Sequence, residues 1–186
     1  MPWRTGGHAT RRVVASSVVP VSRRYLHSQD YSGFEVHAKA LDSVMCFPPV
    51  WEAFGEYCRK ALCIESYNFL VDVNDFKHTV HATSDPRNED ATAGEDFDKF
   101  LAIVKEYIEV NSCSEVNIDD HARHRVLKYT EKYDFIALSR DQRSEVFYLA
   151  EKQISDLLAD NLLAKFKATA TYKELVDDEE EKPPEN

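Results

Sequence analysis

The residues best suited to chemistry in this chain lie between positions 112 and 124. Ser114-Glu115-Val116-Asn117-Ile118-Asp119 is a polar hinge between two amphipathic helical patterns. Asn117 carries hydrogen-bond donors and an acceptor on one side chain, so it could make polar contacts. The competing reading is a turn or N-cap asparagine, a role this residue type favours. His121 and His124 stand three apart beside Asp119-Asp120, a spacing a metal could use on a helix, but nothing nearby completes a ligand set. Cys46, Cys58, Cys63 and Cys113 contain no CxxC pair, and at least three fall on apolar helical faces. They read as buried thiols in a reducing compartment rather than as disulfides or zinc ligands. The chain has no phosphate-binding glycine loop, GxSxG, HExxH or dinucleotide motif. Catalysis by this chain alone is therefore not expected, and no cofactor is implied.

The elements that hold the hinge are helical by spacing. Val36, Ala40, Leu41, Val44 and Met45 make a short stripe that Pro48-Pro49 should stop. Trp51, Phe54, Cys58 and Leu62 follow at helical intervals, and Phe69, Leu70, Val73 and Phe76 form the next face, with Ser66 as the expected N-cap. Residues His78 to Asp96 are hydrophilic and include Ser84-Asp85-Pro86 and Gly94, which predicts a loop in part of that stretch. Phe97, Phe100, Leu101, Val104, Tyr107 and Ile108 give the clearest amphipathic pattern, broken by Asn111–Asp119. A helix should open at Asp119-Asp120, with its acids at the positive end, and run to Tyr129 or Tyr133. Phe135, Ile136 and Leu138 are short and ambiguous. Val146, Phe147, Ala150, Ile154, Leu157 and Leu158 mark a long helix, and Leu163, Phe166 and Tyr172 mark a last one. The pattern predicts an all-α protein, an antiparallel bundle of about nine helices.

Charge divides the chain into three regions. Net charge is −10, yet residues 1–29 carry five arginines and no acid, so the remainder carries −15. An acidic body disfavours nucleic acid as a partner, because phosphate contacts need a basic face, and suits a basic protein surface instead. Residues 1–30 form a basic arm, 31–176 the helical domain, and 177–186 an acidic tail expected to be disordered. The arm has the composition of a mitochondrial transit peptide, with Arg23-Arg24-Tyr25-Leu26 as a processing site. The same composition also fits a segment attracted to anionic lipid, or one without function.

Three blocks, in order and at the right spacing, resemble the regulator of G-protein signalling (RGS) family. In the first, Leu41, Val44, Trp51 and Phe54 precede Glu65-Ser66-Tyr67-Asn68-Phe69-Leu70, where the family typically has Glu-Asn-Ile-x-Phe-Trp. The second runs from Tyr107-Ile108 to Asp119 and resembles the family's Glu-Val-Asn-Leu/Ile-Asp. The third spans Ile154 to Leu175, where Asn161-Leu162-Leu163-Ala164-Lys165-Phe166, closed by Tyr172, stands for an Asp…Arg-Phe…Tyr pattern.

The resemblance implies an RGS-type bundle that binds a heterotrimeric G-protein α subunit (Gα) in its transition-state-like form and speeds GTP hydrolysis without supplying a catalytic residue. Carried over by position, the contacts would be Leu62, Glu65 and Ser66; Glu115 and Asn117; and Leu157, Asp160, Asn161, Leu162 and Lys165. They would come from three loops at one end of the bundle, Leu62–Ser66, Ser112–Asp119 and Asp160–Lys165. Asn117 would be the bracing residue, and Glu65 and Glu115 would answer basic switch residues. Ser66 replaces an asparagine, and Asn161 and Lys165 replace an aspartate–arginine pair. Those departures keep a second reading open, a docking or scaffold module without GTPase acceleration; an unrelated helical adaptor is a third. The family role favours a cytoplasmic, membrane-peripheral location, and the arm's composition leaves a mitochondrial one as the alternative.

Overall fold

The computed structural model describes residues 41–82 and 89–180, all within the unit Glu35–Asn186. The basic arm, the start of the first stripe at Val36–Ala40, the Ser84-Asp85-Pro86 turn and the end of the acidic tail lie outside the described residues.

Among the described residues the regular elements are all helices, with no strand. Helix α1 (Asp42–Met45) is one turn, and α2 (Pro48–Lys60) follows. Pro48 and Pro49 thus open a helix as well as end one. They occupy its first positions, where a missing N–H costs nothing and the fixed φ is already helical. Val50, Trp51, Phe54, Gly55 and Cys58 are the buried stripe of α2. Gly55 is required by a close approach: a Cβ there would lie 2.6 Å from the Tyr67 ring, which packs at a tilt on Trp51 with ring centroids 4.5 Å apart.

Helix α3 (Ile64–Ala82) touches α2 and three later helices, which makes it the centre of the bundle. It starts earlier than expected, so Ser66 is not an N-cap but a buried residue inside the first turns. Helix α4 (Glu89–Ile103) includes Gly94, so the described parts of the hydrophilic stretch His78 to Asp96, residues 78–82 and 89–96, are helix. It continues into a π turn, Val104–Ile108, and stops where the hinge begins.

Beyond the hinge come α5 (Asp120–Leu127), α6 (Lys132–Ile136) and α7 (Arg140–Ser144). Asp119 caps α5 by accepting from Ala122 N, and Ser139 and Gln142 form a reciprocal capping box on α7. Helix α8 (Tyr148–Leu158) passes through a second π turn, Ala159–Leu163, into α9 (Ala164–Lys167), and α10 (Ala170–Glu180) closes the domain. The acidic tail is therefore helical as far as Glu180. The expected count of about nine is too high for helices of full length. Among the described residues six run eight residues or longer, and the rest are turns of four or five.

Phenylalanines unite the core. Phe147 meets Phe69 at 6.2 Å, Phe76 at 5.6 Å and Phe100 at 5.3 Å, while Phe135 stacks on Phe100 at 4.8 Å. At the other end Phe166 packs on Phe54 at 5.2 Å and on Tyr57 at 5.6 Å, tying α9 to α2. Of the cysteines only Cys58 is fully buried; Cys63 is half-buried, and Cys46 and Cys113 are exposed, against the expectation of three buried thiols. Burial pushes the Cys58 thiol well above its ordinary range, so it packs as a small apolar side chain and is not a nucleophile.

Candidate functional site

The first predicted contact segment is a helix C-cap. Leu62 N–H donates to Arg59 O at 3.2 Å and Cys63 N–H donates to Cys58 O at 3.0 Å, the paired bonds of a Schellman motif. That motif needs a left-handed residue between them, and Leu62 takes it with φ 60°. The side chain does not continue the α2 stripe, as its spacing suggested, but projects into solvent with 89% exposure. A left-handed leucine is strained by about 1–2 kcal/mol. We expect Leu62→Gly to raise fold stability by about 1 kcal/mol, a gain of about 2–4 °C in melting temperature for a domain of this size. A drop in melting temperature would contradict the strain at this position.

Glu65 and Ser66 follow in the first turns of α3. Glu65 is half-buried. Ser66 is 4% exposed and faces the core, so it is not available as a surface contact.

The second segment is built by alternation. After the π turn the chain reverses at Asn111, which takes a left-handed φ of 66°, a conformation asparagine tolerates. Val116 and Ile118 then drop into the core, while Glu115, Asn117 and Asp119 face outward. Val116 N–H donates to Tyr107 O at 3.0 Å, and Ile118 N–H donates to Val116 O at 3.0 Å. The second bond spans three residues with Asn117 at its centre, a γ-turn that presents this side chain to solvent. The burial of its two neighbours fixes where the amide is aimed.

Glu115 is already engaged. Its Oε1 lies 2.9 Å from Arg123 Nη2, and its Oε2 accepts from Asn111 N–H at 2.8 Å. Arg123 Nη1 also donates to Ile108 O. Both carboxylate oxygens of Glu115 are thus bonded within the domain. The Asp119 carboxylate, beside it, is held below its usual range by the Ala122 N–H and the Gln153 amide.

The third segment is not a loop. Asp160, Asn161 and Leu162 lie in the π turn, and Lys165 lies one turn further on in α9. The turn shifts the helical face by one residue, so burial passes from Leu158 to Leu163, five residues on, before Phe166. Asp160, Asn161 and Lys165 are exposed, and Leu157 and Leu162 are half-buried. Asn161 Nδ2 donates to Leu157 O at 2.8 Å.

Specific contacts join the elements that carry these segments. Asp119 and Gln153 exchange two hydrogen bonds, Asp119 N–H to Gln153 Oε1 at 3.0 Å and Gln153 Nε2 to Asp119 Oδ2 at 2.8 Å. Leu157 stands one turn after Gln153, so the second segment is pinned to the α8 face that leads into the π turn. Phe166, next to Lys165, packs on Phe54 and Tyr57 of α2, the helix that leads to Leu62. Sequence reading missed Arg123, Gln153 and the 65% exposed Val110. A groove of about 430 Å³ lies between α3 and α4, and none of the predicted contact residues lines it.

A family model for the regulator of G protein signaling domain matches residues 40–175. No individual curated protein matches the chain. The matched span covers most of the sequence and contains all three segments. This chain belongs to the RGS family, whose domains regulate G-protein signalling.

Proposed function

We propose that the chain accelerates GTP hydrolysis by a heterotrimeric Gα subunit, acting as a regulator and not as an enzyme. The observation that carries this reading is the γ-turn at Asn117, which leaves one amide exposed between two buried anchors at the family's Glu-Val-Asn position. Gα proteins carry their own arginine and water-orienting glutamine, so what they lack is a rigid transition-state arrangement of the switch segments. A surface that binds that arrangement better than the ground state lowers the barrier without donating a catalytic group. A hundredfold acceleration needs only about 2.7 kcal/mol of such preference.

Leu62, Glu65, Asn117, Leu157, Asp160, Asn161, Leu162 and Lys165 are the proposed Gα contacts. Ser66 and Glu115 act from behind them, as a packed support and a brace. Leu62→Gly should therefore weaken Gα binding while it stabilises the fold. Strain retained at an exposed apolar residue is what a docking role accounts for. A cytoplasmic, membrane-peripheral location accompanies this role, with anionic lipid as the proposed partner of residues 1–29. A mitochondrial address through the same residues is the alternative, and the stretch lies outside the described residues.

The departures at Asn161 and Lys165 give a direct test. They stand four apart on one helical face, and both are exposed. Asn161→Asp with Lys165→Arg recreates a charge-assisted pair able to order the surface of the π turn. Single-turnover hydrolysis by Gα should gain about tenfold in apparent affinity, equivalent to about 1.4 kcal/mol, with the two changes coupled and not additive. A parent that binds Gα without accelerating hydrolysis would support the second reading, a docking module. The motivating observation for that alternative is the loss of the aspartate–arginine pair itself.

A further inference from the structure

We propose that Arg123 is a positioning residue for the Asn117 segment. The inference rests on the Gα-docking reading for its functional consequence, but its structural half stands without it. Arg123 sits on the first turn of α5, where its backbone N–H bonds Asp119 O at 3.0 Å, and it is 8% exposed. One guanidinium joins both ends of the intervening loop. Nη1 donates to Ile108 O, the last carbonyl of the π turn, and Nη2 meets Glu115 Oε1 at 2.9 Å. The other oxygen of Glu115 accepts from Asn111 N–H at 2.8 Å, which secures the left-handed residue in the middle. Arg123 and Glu115 thus hold the loop at its beginning, its middle and its end, and Asn117 follows two residues later.

Side-chain chemistry explains why an arginine is needed. The planar fork offers donors in fixed, separate directions, one to a carbonyl and one to a carboxylate. A lysine keeps the charge but satisfies these two acceptors from a single flexible point. Glu115 cannot be a free acid for a partner and the counter-ion of Arg123 at once. Both of its oxygens are bonded within the domain, and the remaining polar chemistry of this segment falls to Asn117. Arg123 is then a residue that sets how well the chain recognises the transition-state form, without touching the partner.

Two variants and two readouts test this. In the free protein, Arg123→Lys and Glu115→Gln should speed amide hydrogen exchange across residues 109–118 by tenfold or more, while the amides of α8 keep their protection. Unchanged exchange in that segment overturns the proposal whatever Gα does. In single-turnover hydrolysis, Arg123→Lys should lower the acceleration by about tenfold in the parent background and by less than twofold in an Asn117→Ala background, because it acts through Asn117. An equal loss in both backgrounds would show that Arg123 makes a separate contribution and overturn the positioning role. If the parent does not accelerate hydrolysis, the Gα reading fails, and the exchange measurement still decides whether Arg123 shapes the loop.

Discussion

Replacing Asn117 by alanine abolishes most of the GTPase acceleration and leaves the fold intact: that is the expected result for a residue presented by a γ-turn whose neighbours carry the structural role. Val116 and Ile118 hold the turn by burial, and Val116 N–H and Ile118 N–H are bonded through the backbone, so nothing in the local geometry depends on the amide side chain. A substitution of this kind on an exposed loop usually moves stability by less than about 0.5 kcal/mol. In the complex the same amide would brace two groups of the partner, and the loss of two hydrogen bonds to charged or polarised groups costs about 3 kcal/mol or more. That corresponds to roughly a hundredfold in the single-turnover rate. Melting temperature and rate measured on the same sample separate the two effects. Parent-like activity in the variant would remove Asn117 from the mechanism.

The largest effect on stability is expected at Phe147. Its ring is fully buried where Phe69, Phe76 and Phe100 meet, so it joins α3, α4 and the start of α8. Phe147→Ala removes the apolar burial of a whole ring and leaves a cavity that three neighbouring rings cannot all move to fill, a loss of about 3–5 kcal/mol. Against a total of about 5–15 kcal/mol for a domain, this takes up a large share of the available stability. Denaturant titration should show a midpoint shifted down with an unchanged slope, and any loss of activity should track the unfolded fraction. A cost below about 1 kcal/mol would mean that the core is not held together through this ring.

These two residues also show where sequence was informative. Phe147 sits in a plain helical stripe, and burial follows from its spacing with Ala150, Ile154 and Leu158. The hinge at Asn111–Asp119 and the cap at Asp119 were legible for the same reason, since polar residues interrupt one period and an acid opens the next. Leu62 misled because its spacing fits the α2 stripe and its type gives no sign of a left-handed cap; glycine is the usual marker there. Asp160-Asn161 reads as a loop, yet the chain keeps winding through a π turn, and a pattern assuming 3.6 residues per turn has no means of registering the extra residue. Ser66 looked like a cap because its hydroxyl type favours that role, while the helix had already begun at Ile64. The ion pair of Glu115 was not legible because its partner, Arg123, lies eight residues on, and the pairing depends on how the loop turns back. The capping box at Ser139 and Gln142 was visible as a spacing, but it belongs to a short helix with too weak an apolar period to draw attention.

The central claim is that this domain recognises one state of a Gα subunit, and capture of Gα in three nucleotide states tests it most directly. Purified chain is incubated with Gα loaded with GDP, with GDP and aluminium fluoride, or with a non-hydrolysable GTP analogue, and bound Gα is measured at matched concentrations. The account predicts strong capture of the fluoride form, weaker capture of the GTP-analogue form and little of the GDP form, with the fluoride preference lost in Asn117→Ala. Equal capture of all three forms, or of none, would contradict it.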